Sequence, residues 1–260
     1  MRRALRITAL AVFSSLVVGL LTATPAQAAD VNYVALGDSY SSGTGTRDYY
    51  DSDCERSNQS YAAQLAAEQG YNLDLAACSG ALINDVRNNQ LSHLSADTDL
   101  VTMSIGGNDT GWTGILTRCA LPWPWTCWDD IDAGEAFIRD ELPGQLDSLY
   151  SEISAAAPNA HVIIVGYPML FNGESCNIIT RINAEEQALL NTAATHLGNA
   201  IADVAAAHGF DYADPSGPFS GHAVCDDDAW LNGLSLPVGE SFHPNALGHD
   251  EYTREVTALL

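Results

Sequence analysis

Residues 33–41 read YVALGDSYS, an apolar run that passes directly into a Gly-Asp-Ser turn. The run predicts a buried strand. A parallel strand that ends in such a turn lifts the next side chains to the edge of the sheet, where open α/β folds bind their ligands. Ser39 is therefore a candidate nucleophile. The alternative is a serine that only caps the helix after the strand, because Gly-Asp-Ser is also ordinary turn chemistry.

Apolar runs that suit strands alternate along the chain with segments that suit helices. Strands are predicted at Val31–Leu36, Leu73–Ala77, Leu100–Ile105, His161–Gly166 and Phe210–Tyr212. Helices are predicted at Tyr61–Gln69, Ala81–Asn88, Phe137–Ala156 with an interruption near Pro143, Arg181–His208 and Ala246–Leu260. This order predicts one α/β domain, built as a three-layer sandwich with helices on both sides of a parallel sheet.

The first 28 residues have the three parts of a secretory signal peptide. Basic residues come first, an apolar run follows over 7–21, and an Ala-x-Ala site ends at Ala28. The apolar run is short for a membrane span, which needs about 20 residues. We therefore expect a signal peptide over 1–28, a single domain over 29–260, and a secreted, extracellular protein.

The chain is strongly acidic, with 33 Asp and Glu residues against 10 Lys and Arg residues and a formal net charge of −23. Such a surface repels phosphate groups, so we expect no nucleic-acid partner. It gains nothing from anionic lipid headgroups either, whereas neutral or zwitterionic esters suit it as substrates. The simplest role of the acidity is solubility outside the cell.

Later segments supply the groups that a serine nucleophile needs for ester cleavage. Gly80, in Cys-Ser-Gly, lets a backbone N–H come close to a substrate. Asn108, in Gly-Gly-Asn-Asp, offers an uncharged side-chain amide as a donor. With the N–H of Ser39 they form a candidate oxyanion hole. Taken singly, Gly80 is more simply the glycine of a strand-to-helix turn, and an asparagine of an ordinary turn is the alternative for Asn108.

The candidate base is His243, in Ser-Phe-His-Pro just ahead of the last predicted helix. Pro244 suits the first turn of that helix, and His243 then lies on the preceding loop, where an imidazole can reach the edge of the sheet. The best rival among the seven histidines is His222, which also lies in a loop. His161 and His249, by contrast, lie within or beside predicted regular elements.

Together these four segments resemble the four blocks of the SGNH (GDSL-type) serine hydrolases, in the same order along the chain. The resemblance covers nearly all of the chain after residue 28 and is to the secreted bacterial lipases and phospholipases of that family. It implies a five-stranded parallel sheet of the flavodoxin type and no metal or organic cofactor. It also implies a nucleophile at Ser39, a general base and acid at His243, and an oxyanion hole of Ser39, Gly80 and Asn108.

The sequence departs from the family at the residue that orients the histidine. The family pattern is Asp-x-x-His, whereas Glu240 stands three residues before His243. Glu240 can supply the carboxylate, or a backbone carbonyl of Ser241 or Glu240 can accept from the imidazole instead. Some secreted members of the family look like Ser–His dyads with such a carbonyl. We favour a dyad in which the carbonyl of Ser241 is the acceptor.

Six cysteines in an exported chain indicate disulfides. The pattern looks like that of secreted SGNH lipases, which implies the sequential pairs Cys54–Cys78, Cys119–Cys127 and Cys176–Cys225. The short loop of the second pair is easy to close. A zinc site is the weaker interpretation, because no two cysteines have Cys-x-x-Cys spacing.

Two stretches are predicted as loops at the edge of the sheet, Thr117–Asp132 and Asp214–Gly239. The first contains Trp123 and Trp125, which can line a groove for an acyl chain or touch a lipid interface. The alternative is a small packed cluster held by a disulfide.

The function that the resemblance implies is a monomeric, secreted esterase or lipase that cleaves carboxylic esters of lipids, namely acylglycerols, phospholipids or both. The same catalytic residues would serve a carbohydrate esterase that removes acetyl groups from polysaccharide. An aromatic surface stacks on sugar rings as readily as it contacts acyl chains. A non-catalytic binding module with the same fold is a further alternative, although the presence of all four blocks argues against it.

Overall fold

The computed structural model describes residues 30–121, 124–174 and 182–260. The strands are β1 (Asn32–Gly37), β2 (Asn72–Leu75), β3 (Leu100–Ser104), β4 (His161–Val165) and β5 (Asp211–Ala213). They form a single parallel sheet in the order β2-β1-β3-β4-β5. This is the strand order of flavodoxin-like folds, so the predicted five-stranded parallel sheet is confirmed.

Helices pack on both faces of the sheet, and their bounds are as follows. The helices are α1 (Ser39–Ser42), α2 (Tyr61–Gln69), α3 (Ile83–Asp85), α4 (Trp112–Cys119), α5 (Trp128–Asp140), α6 (Leu142–Ala156), α7 (Ala184–Ala207) and α8 (Ala246–Thr257), with a π-helix at Val86–Gln90 and 3-10 turns at Leu91–His93 and Val238–Glu240. One buried apolar cluster includes Leu65 of α2 and Val256 of α8. Another includes Leu146 of α6 and Ile201 of α7. The predicted three-layer sandwich is therefore also confirmed.

The main departures from the predicted elements lie after β2 and after β3. The helix predicted at Ala81–Asn88 is instead the single turn α3, followed by the π-helix. Helix α4 was not predicted, and α5 begins inside the predicted loop Thr117–Asp132. Both helices are amphipathic, and their buried apolar residues pack against each other and against the core of the domain. Pro143 lies in the first turn of α6, where a missing N–H costs no intrahelical hydrogen bond.

Two of the expected disulfides are present. Cys54–Cys78 joins the segment before α2 to the segment after β2, and Cys119–Cys127 joins the end of α4 to the start of α5. The third expected pair, Cys176–Cys225, includes a residue outside the described part of the chain. Within the described ranges, no helix is long and apolar enough to cross a membrane.

The order of the sheet decides where a site can form. Strand β2 lies on one side of β1, and β3 lies on the other side, so the direction in which successive strands are added reverses at β1. Folds of this type bind ligands at such a reversal, outside the carboxyl ends of the strands. Ser39 follows the carboxyl end of β1 and therefore stands at this position.

Candidate active site

Ser39 is held in place by a tight connection between β1 and α1. Gly37 has φ +120°, and a Cβ there would stand 2.2 Å from the carbonyl oxygen of Ser104, so only glycine lets the two strands approach this closely. The Asp38 carboxylate caps α1 by accepting from the N–H of Tyr40 at 3.0 Å. Ser39 is the first residue of the helix, where a backbone N–H has no acceptor within the helix.

His243 makes two hydrogen bonds that fix its tautomer. Its Nδ1 lies 3.0 Å from the carbonyl oxygen of Ser241, and its Nε2 lies 2.8 Å from Oγ of Ser39. Because a carbonyl oxygen can only accept, Nδ1 carries the proton. In the neutral ring Nε2 is then unprotonated and accepts from the Ser39 hydroxyl. This is the geometry in which a histidine can take the proton of a serine nucleophile.

The backbone around Phe242 turns the imidazole toward its own chain. Phe242 has φ +63°, a left-handed conformation that is rare for a bulky residue. Its N–H donates to the carbonyl of Asn232, and its carbonyl accepts from the hydroxyl of Tyr40 at 2.7 Å. The N–H of Asn232 in turn donates to the carbonyl of His243. These bonds hold the strained turn and link the base to the residue next to Ser39.

Burial determines the charge state of the base. Removal from water lowers the pKa of His243 to about 4, while its hydrogen bond to Ser241 and the charge of Glu55 act in the opposite direction. The imidazole is therefore neutral at neutral pH and ready to accept a proton.

Glu240 does not reach the imidazole. Its side chain is 3% exposed, and its Oε1 accepts from the hydroxyl of Tyr49 at 2.7 Å. Oε2 has no hydrogen-bond partner among the described residues. Of the three orienting groups that the sequence allowed, the one that accepts from Nδ1 of His243 is the carbonyl of Ser241. The interpretation of Glu240 as a bonded third member does not fit this geometry, because Tyr49 holds its carboxylate.

The three expected oxyanion donors follow three neighbouring strands. Ser39 follows β1, Gly80 follows β2 and Asn108 follows β3, so all three lie at one edge of the sheet. Gly80 has φ +79°, and no atom lies within 4 Å of where its Cβ would stand. The amide of Asn108 donates one N–H to the carbonyl of Ala81 at 3.1 Å. Since an amide has two N–H donors, one remains for a substrate.

A buried network that the sequence analysis missed joins the nucleophile turn to the Asn108 loop. Asp38 accepts from the hydroxyls of Ser104 and Tyr167, and the hydroxyl of Tyr167 also accepts from the N–H of Gly107. Burial raises the pKa of Asp38 to about 6, although these hydrogen bonds oppose the shift. The only sequence signal for this network was the position of Asp38 beside the candidate nucleophile.

An apolar cavity of about 290 Å³ opens beside Ser39 and His243. Asn108 contributes to its wall, whereas most of the wall consists of apolar side chains that include Trp112, Leu116, Leu121, Leu170, Leu197 and Val238. Trp125 is not among the lining residues. It is 54% exposed, and the guanidinium carbon of Arg118 lies 4.8 Å from the centre of its ring. Trp123 lies outside the described residues.

The chain is similar to known proteins in sequence and in fold. Residues 35–251 match the model of the GDSL-like Lipase/Acylhydrolase family. Lipase 1 of Streptomyces coelicolor is 43% identical over 236 residues, which cover 88% of this chain and 87% of that protein. Two solved structures each have a TM-score of 0.84 at 38% identity, an extracellular lipase from Streptomyces rimosus and phospholipase A1 from Streptomyces albidoflavus. Each match covers 88% of this chain, with 100% of the lipase and 99% of the phospholipase. The chain therefore belongs to the GDSL-like lipase/acylhydrolase family and is a carboxylic ester hydrolase.

Proposed function

We propose that this chain is a secreted lipase that cleaves carboxylic esters of lipids through a Ser39–His243 dyad. The observation that carries the proposal is the 2.8 Å contact between Oγ of Ser39 and Nε2 of His243 at an apolar cavity.

The reaction follows from the hydrogen bonds of the site. Oγ of Ser39 attacks the ester carbonyl carbon while Nε2 of His243 takes the hydroxyl proton. The N–H groups of Ser39 and Gly80 and the amide of Asn108 stabilise the oxyanion. His243 then passes its proton to the leaving alcohol, and an acyl-enzyme remains. Water attacks the acyl-enzyme by the same steps, which release the acid and restore Ser39.

The cavity wall supports an acyl chain as the group bound beside Ser39. Trp112, Leu116 and Leu197 offer apolar contact and no charge. An acetylated sugar presents many hydroxyl groups, which need hydrogen-bond partners when they leave water. The names of the lipase and phospholipase relatives point to the same substrate class. We therefore favour lipid esters over acetylated polysaccharide, and we leave acylglycerols and phospholipids as alternatives within that class.

We also propose that residues 1–28 form a signal peptide and that residues 29–260 act as a secreted, monomeric domain. The extracellular lipase among the relatives supports secretion. A transient contact with a lipid interface through the segment around Trp125 would suit its exposed ring. No nucleic-acid partner, metal or organic cofactor is part of this proposal.

The test is the rate of hydrolysis of p-nitrophenyl esters of increasing acyl length, and of phosphatidylcholine, by the wild-type protein and Ser39→Ala. We expect the rate to be highest with medium or long chains and to vanish in the variant. Activity confined to acetyl esters would favour the carbohydrate esterase. Ester hydrolysis that survives in Ser39→Ala would overturn the mechanism.

A further inference from the structure

Two carboxylates lie beside the loop of the base without a basic partner. Neither Glu55 nor Glu240 forms a salt bridge within the described ranges. Glu240 is accounted for by Tyr49, which donates to it. The mechanism above gives Glu55 no role, although its charge acts on His243.

The carboxylate of Glu55 is held by two hydroxyl groups from the segments that carry the catalytic residues. Its Oε2 accepts from Oγ1 of Thr44 at 2.8 Å and from Oγ of Ser79 at 2.9 Å. Thr44 is buried, and its N–H donates to the carbonyl of Ser39. Ser79 directly precedes Gly80. Glu55 is therefore attached both to the nucleophile segment and to the oxyanion segment.

The other oxygen of Glu55 points to the segment of the base. Its Oε1 lies 3.9 Å from where a Cβ on Gly239 would stand, at the turn that leads into Ser241 and His243. The backbone at Glu55 has φ +52°, an uncommon conformation next to the Cys54–Cys78 disulfide. Glu55 is thus a strained residue in a cross-linked loop, and the hydroxyls of Thr44 and Ser79 both bond to its carboxylate. Its carboxylate is therefore held in a fixed position.

We propose that Glu55 is a positioning residue whose fixed negative charge stabilises the imidazolium form of His243 during proton transfer, in place of the carboxylate that a triad would bond to Nδ1. The proposal rests on the roles given above to Ser39 and His243. It also predicts that Glu55 keeps Ser79, and with it the N–H of Gly80, in place for the oxyanion.

The surroundings of His243 explain why such a charge matters. Burial opposes the positive charge that the imidazole must carry in the transition state, and the Ser241 carbonyl offers a dipole but no full charge. The other titratable groups near His243 are Asp38 in the turn before α1, Tyr40 on α1, Glu240 at the end of the 3-10 turn before the base, and His249 on α8. Asp38 and Glu240 are bonded by tyrosine hydroxyls. Burial lowers the pKa of His249 to about 4 and raises the pKa of Tyr40, so both of these rings are neutral at neutral pH and supply no charge to His243.

The experiment compares the pH profiles of kcat and kcat/KM on a neutral, soluble ester for the wild type, Glu55→Gln and Ser79→Ala. Rates are normalised to active sites titrated with a fluorophosphonate, so that only folded enzyme counts. In Glu55→Gln we expect kcat to fall about 3- to 10-fold with little change in KM. The acid limb of kcat/KM should move to lower pH, because the charge that raised the pKa of His243 is gone.

Two further variants separate the effect of the Glu55 charge from the effect of its hydrogen bond to Ser79. Ser79→Ala removes one hydroxyl but keeps the Glu55 charge, so its acid limb should stay at the wild-type position even where kcat falls. Glu152→Gln is the control for the loss of a carboxylate elsewhere in the fold, because Glu152 lies on α6, where it accepts from the hydroxyl of Ser148 and pairs with Arg87. It should leave both profiles unchanged.

The proposal is overturned if Glu55→Gln keeps both the wild-type kcat and the wild-type acid limb of kcat/KM. It is also overturned if kcat falls in Glu55→Gln while the acid limb stays in place, which is the behaviour expected of Ser79→Ala. Should Glu55→Gln give no folded protein, Glu55→Asp keeps the charge but withdraws it by one methylene. Its acid limb should then lie below that of the wild type, and an unmoved limb would contradict the proposal. Either failure leaves the Ser39→Ala result intact, so it is distinct from a failure of the proposed function.

Discussion

The imidazole of His243 donates from Nδ1 to the carbonyl oxygen of Ser241, 3.0 Å away and two residues back along the chain. So short a connection requires a reversal of the backbone, which the left-handed conformation of Phe242 supplies. A triad uses a carboxylate from elsewhere to select the tautomer of the histidine. Here a neighbouring carbonyl selects the same tautomer, and the carboxylate of Glu240 is bonded to Tyr49 instead.

The first prediction concerns Glu240. Glu240→Gln should keep ester hydrolysis within about 3-fold of the wild type, because the orienting bond on Nδ1 does not involve its carboxylate. His243→Ala, by contrast, should lose on the order of 10⁴-fold or more in kcat. Steady-state rates on one short ester check both variants. A nearly complete loss in Glu240→Gln, with the wild-type circular dichroism spectrum, would contradict the dyad.

The second prediction concerns the oxyanion donor at Asn108. Asn108→Ala should lower kcat by about 10²–10³ with little effect on KM, because the amide is needed only when the carbonyl oxygen becomes negative. Asn108→Asp should be at least as impaired, since a carboxylate repels the oxyanion. Asn159→Ala is the control, because the Asn159 amide also donates to a backbone carbonyl at 3.1 Å but is exposed. Equal activity in the Asn108 and Asn159 variants would remove Asn108 from the site.

The third prediction concerns Gly45, which packs against the loop of the base. A Cβ there would stand 2.2 Å from the carbonyl oxygen of Pro244 and 2.9 Å from Cβ of His243. Gly45→Ala should therefore displace His243 and lower kcat by at least about 10-fold, because Nε2 loses its alignment with Ser39. Thermal unfolding should show a loss of stability of about 1–3 kcal/mol.

Gly70→Ala is the matched control for this variant. Gly70 also has a positive φ, of +72°, but no atom lies within 4 Å of where its Cβ would stand. It should lose about 1 kcal/mol of stability through backbone strain and keep full activity. The same kcat in both variants would show that an added Cβ at Gly45 does not displace His243.

The fourth prediction concerns pH. Burial lowers the pKa of His243 to about 4, and the neutral ring is the active form, so kcat/KM should hold below pH 6 and fall only as pH drops through about 4. An exposed histidine would give an acid limb at about pH 6.5. The measurement is kcat/KM from pH 3 to 8 on an uncharged ester.

The stability of the folded protein depends on the same titration of His243, so the loss of activity in acid must be distinguished from unfolding. A histidine whose pKa falls on folding stabilises the native state above the unfolded pKa, and this contribution is lost as pH falls toward the folded pKa. Acid therefore destabilises the protein as pH falls from about 6.5 to about 4, a range that begins above the acid limb of activity and ends in it. Circular dichroism at each pH separates the two effects. An acid limb at about 6.5 in folded protein would contradict the burial of the base.

The fold was predictable because its signals are local. The apolar runs of β1, β3 and β4 are buried on both faces, and such runs are typical of strands in the middle of a parallel sheet. Residues 33–41 also placed Ser39 correctly at the end of β1. Helix α4 could not be predicted from the sequence, because its short apolar face is stabilised by packing against α5 and the core.

The candidate residues could be predicted because each follows a strand or precedes a helix. The residues that hold them in place by hydrogen bonds could not be predicted. Tyr40 bonds to Phe242 across 202 positions, and Tyr167 reaches Asp38 across 129. Such pairings depend on the tertiary structure and leave no local pattern. The role of Glu240 was open for the same reason, because its partner Tyr49 lies 191 positions away.

The Ser39–His243 mechanism is tested by covalent labelling of the enzyme with a fluorophosphonate, followed by peptide mass spectrometry and measurement of the residual activity. We expect a single adduct on Ser39, loss of ester hydrolysis in proportion to labelling, and little labelling of His243→Ala. An adduct on another serine, or full activity after complete labelling of Ser39, would contradict the Ser39–His243 mechanism.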